Sequence, residues 1–449
     1  MQALGIVGLI LAILILIIGA YKSWGALPIT LIAGSVAVLF NLPQMEVGFW
    51  TGLTQPYMAG YAGTYSGYFL IFIFSALYAR MMNIAKAPIA IGYKLIDWFG
   101  AKNAVLVSII ITAVLTYGGV SLFVVIFAVT PINYTLYKEA DIPRHILLGT
   151  GTVASATFTM TSLPGTPQLT NIIPTQYLGT TMTAAPVLGI ICSAALFILG
   201  FIYCQKAAKN AQARGEHFTF PAHYDPTSIN ITREELPSAG KSFVPIIILI
   251  IIIVIGSNVR IDGQAINSAM LTVIAMLIAA IICVLIFLPR YKGISWTKEI
   301  TGGMGDGISA IGGLAAVVAF GTVVQNTPEF QAIVKWVLSV DMGTYFKGIF
   351  STAVISGITG SSSGGLRIMY GAMADYFVNS GCNLSILHRL TSIAAGSLDT
   401  LPHASGLFLT FQFYGLQHKD GYRHIFWTSV FIPLVVCLVA TAIVTAMGM

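Results

Sequence analysis

The chain has 449 residues, of which 56% are hydrophobic and only 8% charged, and its mean hydropathy is +0.85. A soluble domain carries about 25% charged residues, so this composition excludes a soluble enzyme or binding module and fits a polytopic membrane protein. The formal net charge of +6 does not point to nucleic acid, because the Lys and Arg residues lie in short segments between apolar runs.

Apolar runs of about 20 residues cross a bilayer as helices. In chain order the first three fall at 3–20, 25–42 and 58–80. The first reads as a span rather than a cleavable leader, since no basic residue precedes it. Residues 84–101 mix apolar positions (Ile84, Ile91, Leu95, Trp98) with Lys86, Lys94 and Asp97, the pattern of an interfacial amphipathic helix. The stretch 104–136 is too long for one crossing, and Tyr117-Gly118-Gly119-Val120-Ser121 splits it into pieces too short for two. A re-entrant hairpin is expected there, since non-helical backbone at membrane depth survives only inside protein or against a water-filled cavity. An interrupted span follows at 145–178, broken over 162–167, and then a continuous one at 185–204. The polar stretch 205–242, with mixed charge and Pro221, Pro226 and Pro237, reads as a linker.

After it the order recurs: spans at 243–258, 268–288 and 301–324, an interfacial helix at 328–341, a hairpin at 345–378, an interrupted span at 384–416 broken over 399–405, and a last span at 425–447. The second hairpin is split by Gly360-Ser361-Ser362-Ser363-Gly364-Gly365. Thr161-Ser162-Leu163-Pro164 and Asp399-Thr400-Leu401-Pro402 occupy matching places, and a shift of 238 carries Pro164 onto Pro402, Gly119 onto Gly357 and Trp98 onto Trp336. The expected fold is all-α, with two repeats, 1–204 and 243–449, each of five spans and one hairpin. Five crossings is odd, so the second repeat enters the membrane inverted, as in many secondary carriers. Counted by loop, 17 of the 22 Lys and Arg fall on one side and 5 (Arg260, Lys335, Lys347, Arg367, Arg389) on the other. The positive-inside rule makes the first side cytoplasmic, with both termini outside and linker 205–242 inside.

Breaks at corresponding places in two halves mark the midplane binding site of a secondary transporter. The glycines at the hairpin tips could serve close helix packing alone; the sharper reading aims the free N–H groups of a half-helix N-terminus at an anion, with serine hydroxyls beside them. Pro164-Gly165-Thr166-Pro167 removes too many backbone bonds for a simple kink, and Gln168 and Asn171 follow directly. Asp399 is the most pointed residue. A carboxylate deep in a span marks a proton, ion or ligand site, although beside a break it could also act as a helix cap. His403 can titrate near neutral pH or be a structural hydrogen-bonding group. Asp306 lies near the end of its span, and Arg367 could pair with a substrate carboxylate or with Asp375. The five cysteines (Cys192, Cys204, Cys283, Cys382, Cys437) have no metal or redox spacing and read as small core residues.

Four segments carry a family resemblance. They are Tyr117-Gly118-Gly119-Val120-Ser121-Leu122-Phe123-Val124-Val125; Ser162-Leu163-Pro164-Gly165-Thr166-Pro167; Gly179-Thr180-Thr181 with Ala184-Ala185-Pro186-Val187-Leu188-Gly189; and Ser397-Leu398-Asp399-Thr400-Leu401-Pro402-His403. They resemble the gluconate:proton symporter (GntP) family of the ion-transporter superfamily, most of all its D-β-hydroxybutyrate permease-like members, over nearly the whole chain. The resemblance implies a homodimer in the inner membrane, with a scaffold domain and a mobile transport domain that holds both hairpins and moves as an elevator. It also implies proton-coupled symport of a small hydroxy-carboxylate such as gluconate or 3-hydroxybutyrate, with no cofactor besides the coupling ion; sodium stays open as an alternative. The sequence departs from the family pattern at Arg367-Ile368-Met369 and at Ala404-Ser405.

On this reading the substrate is held by Gly118, Gly119, Ser121, Ser162, Gly165, Thr166, Asn171, Ser361, Ser362, Ser363, Gly364, Thr400 and His403, and Asp399 couples the proton. No metal site is expected. An intramembrane enzyme would need a nucleophile–base or metal set, and the seven histidines are scattered, mostly in loops. An anion channel would share the re-entrant loops, but two unlike half-sites converging on one point suit a carrier.

Overall fold

Apolar sequence that must satisfy its own backbone becomes helix, and helix dominates the computed structural model, which describes residues 2–118, 122–222, 233–261, 264–265 and 268–448. The chain begins with α1 (Gln2–Tyr21), α2 (Ala26–Asn41), α3 (Phe49–Ala85), α4 (Ala87–Phe99), α5 (Ala104–Tyr117), α6 (Leu122–Glu139), α7 (Ile146–Thr152), α8 (Leu169–Leu178) and α9 (Pro186–Ala213). A π-helical stretch, Val153–Ser162, prolongs α7 up to the break. Then come α10 (Ala239–Asn258), a two-stranded antiparallel ribbon of β1 (Arg260–Ile261) and β2 (Gln264–Ala265), α11 (Ser268–Ile286), α12 (Trp296–Gln325) and α13 (Pro328–Ser339). Last are α14 (Thr344–Thr359), α15 (Ser362–Asn379), α16 (Leu384–Leu398), α17 (Ser405–Phe413) and α18 (His418–Ile425), which runs through the π-helical Phe426–Phe431 into α19 (Ile432–Ala446).

Seven continuous helices are long and apolar enough to cross a membrane: Leu4–Tyr21, Ala26–Gln44, Phe49–Ala85, Pro186–Ala213, Ala239–Gly256, Trp296–Gln325 and His418–Ala446. Several outrun the lengths expected from hydropathy, because a helix continues past the apolar slab into sequence that packing favours. α3 starts at Phe49 rather than 58 and tolerates Pro56, since Leu53 and Tyr57 pack with Val38, Ala319 and Val323. The last span starts at His418 rather than 425. The linker is shorter than 205–242, because α9 runs to Ala213 and α10 begins at Ala239. Its first residues fold back on the membrane helices: Glu216 pairs with Arg214 and with His145, each at 2.7 Å, and Phe218 and Phe220 pack against Tyr134. The histidines are also less loop-bound than expected, with His388, His418 and His424 in helices.

α3 and α12 form the most extensive helix pair, and glycines set how closely they meet. A Cβ on Gly307 would stand 2.7 Å from the Phe72 carbonyl oxygen, and one on Gly302 or Gly303 would press on Arg80. Arg80 lies over those two glycines and bonds Glu299 at 2.7 Å and Asp306 at 3.3 Å. The glycine-rich phrase around Asp306 is therefore a packing groove closed by an ion pair. One large core joins α4, α5, α6, α7 and α11. A second joins α1, α2, α13, α14, α15, α16 and α19.

Close backbone approach makes Gly307 intolerant of a side chain, whereas nothing lies within 4 Å of a Cβ on Gly305 in the same phrase. Gly307→Ala is expected to cost about 1–3 kcal/mol, as overpacked cores do. Gly305→Ala should be neutral or slightly stabilising. Thermal melts of the two purified variants check the contrast.

Candidate functional site

Each expected hairpin contains two helices, α5 and α6 in the first and α14 and α15 in the second. α5 ends at Gly118, whose N–H closes on the Val114 carbonyl at 3.0 Å. Gly119 and Ser121 lie outside the described residues. In the second pair Gly360 takes φ +61, and Ser361 caps α15 by accepting from the Gly364 N–H at 3.2 Å. A Cβ on Gly365 would lie 2.7 Å from the Ser356 backbone nitrogen, and one on Gly360 would lie 3.1 Å from the Ala404 Cα. These glycines let α14 cross α15 at the tip and let the tip rest on the second break.

The two breaks draw on distant side chains to satisfy their backbone. In the first, Tyr117 donates to the Pro164 carbonyl at 3.1 Å and Gln168 Nε2 to the Thr116 carbonyl at 2.8 Å, which ties the break to the α5 tip. Gly165, at φ +84, donates its N–H to the Met182 carbonyl at 2.9 Å. In the second, α18 supplies His418, bonded to the Pro402 carbonyl at 3.0 Å, and Tyr422, which donates to the Thr400 carbonyl at 3.1 Å. His403 Nε2 donates to the Gly357 carbonyl at 2.8 Å, joining break to hairpin tip.

Arg389 ties α16, the helix that leads to the second break, to the surroundings of the first. Counted among outward-facing loop cations on sequence, it instead lies inside α16 and is completely buried. It has no carboxylate partner among the described residues; its donors go to the Ala184 carbonyl at 2.9 Å, the Met182 carbonyl at 3.2 Å and Asn171 Oδ1 at 3.0 Å. Asn171 Oδ1 also accepts from His388 Nε2 at 3.0 Å, and Asn171 Nδ2 donates to the Thr166 and Met182 carbonyls at 2.9 and 2.8 Å. Both ends of the Asn171 amide are thus engaged by protein.

Where breaks and tip meet, a cavity of about 710 Å³ opens. Of the expected residues, Ser361, Ser362, Ser363, Asp399 and Thr400 line it. Gly118, Ser162, Gly165, Thr166, Asn171, Gly364 and His403 stand outside its wall. Ser162, for instance, donates to the Gly189 carbonyl at 3.1 Å. Sequence reasoning missed Thr64 and Tyr68 on α3, Thr152 and Ser155 beyond the first broken helix's start, and Thr410 on α17 with Tyr414 just after it. Their spacing is ordinary helical spacing, and only tertiary packing brings them together. Asp399, 9% exposed, lines the cavity together with Ser362 at the α15 N-terminus, and its Oδ1 has no hydrogen-bond partner among the described residues. Thr400 Oγ1 is likewise buried and unpartnered.

A second cavity, about 630 Å³, holds Arg80, Lys86, Glu299 and Asp306. An aromatic layer divides the two: Phe127 meets Phe413 edge-on at 4.4 Å and Phe72 at 6.2 Å. Asp306 therefore belongs to a different compartment from Asp399.

Residues 1–447 match the family described as GntP family permease. An uncharacterised transporter of Bacillus subtilis, YxjC, is 30% identical over 448 residues, covering 93% of this chain and 94% of that protein.

Removing Asn171 strands two buried donors, so Asn171→Leu is expected to cost about 1–3 kcal/mol, and more in so far as the guanidinium is left uncompensated. Arg389→Lys should also destabilise, because one ammonium cannot reproduce the guanidinium fork. Thermal denaturation in detergent measures both.

Proposed function

Because the chain belongs to the GntP permease family and is therefore a secondary transporter, we propose that it carries a small hydroxy-carboxylate, 3-hydroxybutyrate- or gluconate-like, together with a proton. The observation that carries this reading is Asp399: a buried carboxyl with an unpartnered oxygen, lining a cavity rich in hydroxyls together with the N-terminus of α15. Asp399 and Ser362 line the same cavity, so an ionised Asp399 repels a carboxylate drawn to the Ser362 N–H and hydroxyl at the positive end of the α15 dipole. Protonation removes that repulsion. Proton and anion then favour each other's binding, the reciprocity that symport requires.

The rest of the proposal follows from architecture. The paired hairpins and breaks, offset by 238 residues, support two inverted repeats of five spans each, in which α14, α15 and the two breaks move together against α3 and α12. That movement is an elevator in a homodimeric inner-membrane protein, with both termini outside and the linker between α9 and α10 inside. The Asn171–Arg389 latch suits a body in which the two breaks travel as one.

Asp399→Asn is expected to abolish accumulation driven by a pH gradient in proteoliposomes while exchange of substrate for substrate persists; retained pH-driven accumulation would overturn the role of Asp399. A charge-assisted hydrogen bond contributes roughly 1.5–3 kcal/mol, so Ser362→Ala should weaken binding by about tenfold or more. Isothermal titration with 3-hydroxybutyrate and gluconate reads that change.

A further inference from the structure

The central cavity contains one acid, Asp399, and, among the described residues, one cation, Arg367. Arg367 sits on α15 four residues after Ser363, and residues at that spacing lie on one helix face. It forms no hydrogen bond or ion pair with any described residue, Asp375 included. Tyr68 of α3 lines the same cavity. Arg367 is exposed, as a guanidinium within an apolar chain must be unless it is paired, and its donors are open to an anion entering the cavity.

We propose that Arg367 receives the carboxylate of the cargo and that, with Asp399, it makes the two mobile states of the site electroneutral, so that one proton accompanies each monocarboxylate. The proposal rests on the reading of this cavity as the transport site. The charge count is direct. Empty, the site holds Asp399⁻ and Arg367⁺ and sums to zero. Loaded with proton and monoanion, it holds neutral Asp399, Arg367⁺ and the carboxylate, and again sums to zero. With the proton alone it carries +1, and with the anion alone −1. Moving a net charge past the apolar face of α12, where Leu314 and Val318 line the cavity, is disfavoured relative to the neutral states, so the half-loaded states stay put.

The other titratable groups around Asp399 are His403, whose Nε2 is bonded to the Gly357 carbonyl while its Nδ1 is buried without a partner, and His418 and Tyr422 of α18, bonded to the Pro402 and Thr400 carbonyls. The charge count holds with both imidazoles neutral. Tyr68 of α3 and Tyr414, just past α17, are phenols, neutral at physiological pH.

The test uses the full-length protein in proteoliposomes, with 3-hydroxybutyrate and gluconate as probes. Wild type should accumulate a probe in response to a pH gradient and ignore an imposed potassium-diffusion potential, because each cycle moves no net charge. Arg367→Gln should lose about tenfold or more in affinity and stop accumulating the probe, since its empty and its fully loaded states now both carry −1 and only the proton-only state is neutral. Arg367→Lys, which keeps the charge, should keep coupling at reduced affinity. Wild-type uptake that follows voltage, or an Arg367→Gln protein that binds and couples normally, would overturn the inference. If Ser362→Ala and Asp399→Asn impair transport while Arg367→Gln does not, the cavity remains the transport site and Arg367 is only a bystander. If all three behave as wild type, the reading of the cavity itself fails.

Discussion

A helix broken inside a membrane exposes backbone N–H and C=O groups that water cannot reach, and each unpaired one costs several kcal/mol. The arrangement of this protein depends on meeting that demand twice. At the first break Met182 acts as a hub, its carbonyl accepting from Gly165, Asn171 and Arg389. At the second, His418 and Tyr422 reach in from α18. Arg389 fits because a guanidinium offers five donors in a fixed fork, enough to serve the Ala184 and Met182 carbonyls and Asn171 together. A buried cation without a carboxylate would ordinarily be costly, and here the converging carbonyl dipoles take the carboxylate's place.

That backbone repair also decides where polarity is left over. Ser162 and Asn171 are absorbed into it and cannot serve a ligand without giving up protein partners. Asp399 Oδ1 and Thr400 Oγ1 are not absorbed, and both sit at the cavity where the hairpin tip meets the second break. The contrast separates groups that hold the fold from groups whose hydrogen-bonding capacity is unused. All four residues are buried, Ser162 and Asn171 completely and Asp399 and Thr400 with 9% exposed, so hydrogen-bond occupancy is the sharper difference.

Glycine carries out the other half of the construction. Gly307 lets the backbone of α12 meet that of α3, Gly365 lets α15 cross α14, and Gly360 sets the tip on Ala404. Each contact brings one wall of the cavity to its place. The aromatic layer of Phe72, Phe127 and Phe413 then closes the cavity off from the compartment around Arg80. Three rings from α3, α6 and α17 make that partition, so a relative shift of any of those helices alters the connection between the two compartments.

Much of this was legible in the chain itself. Hydropathy located the membrane helices, because lipid admits only segments that satisfy their own backbone. Gly, Ser and Pro runs located the hairpin tips and breaks, because those residues cannot continue a helix cheaply, and the lone deep carboxylate singled out Asp399. Helix ends were misplaced at α3, α9, α10 and α18, where packing carries the helix beyond the apolar slab. The roles of Asn171 and Arg389, and the entry of Thr64, Tyr68, Ser155 and Thr410 into the cavity, could not be read at all. They depend on which donor finds which acceptor across some two hundred residues of chain, as Arg389 does with Ala184. The sequence determined where the helices must break; only the tertiary structure decided which polar groups the breaks consume and which they leave for a ligand, because hydrogen-bond partners are matched in space and not along the chain.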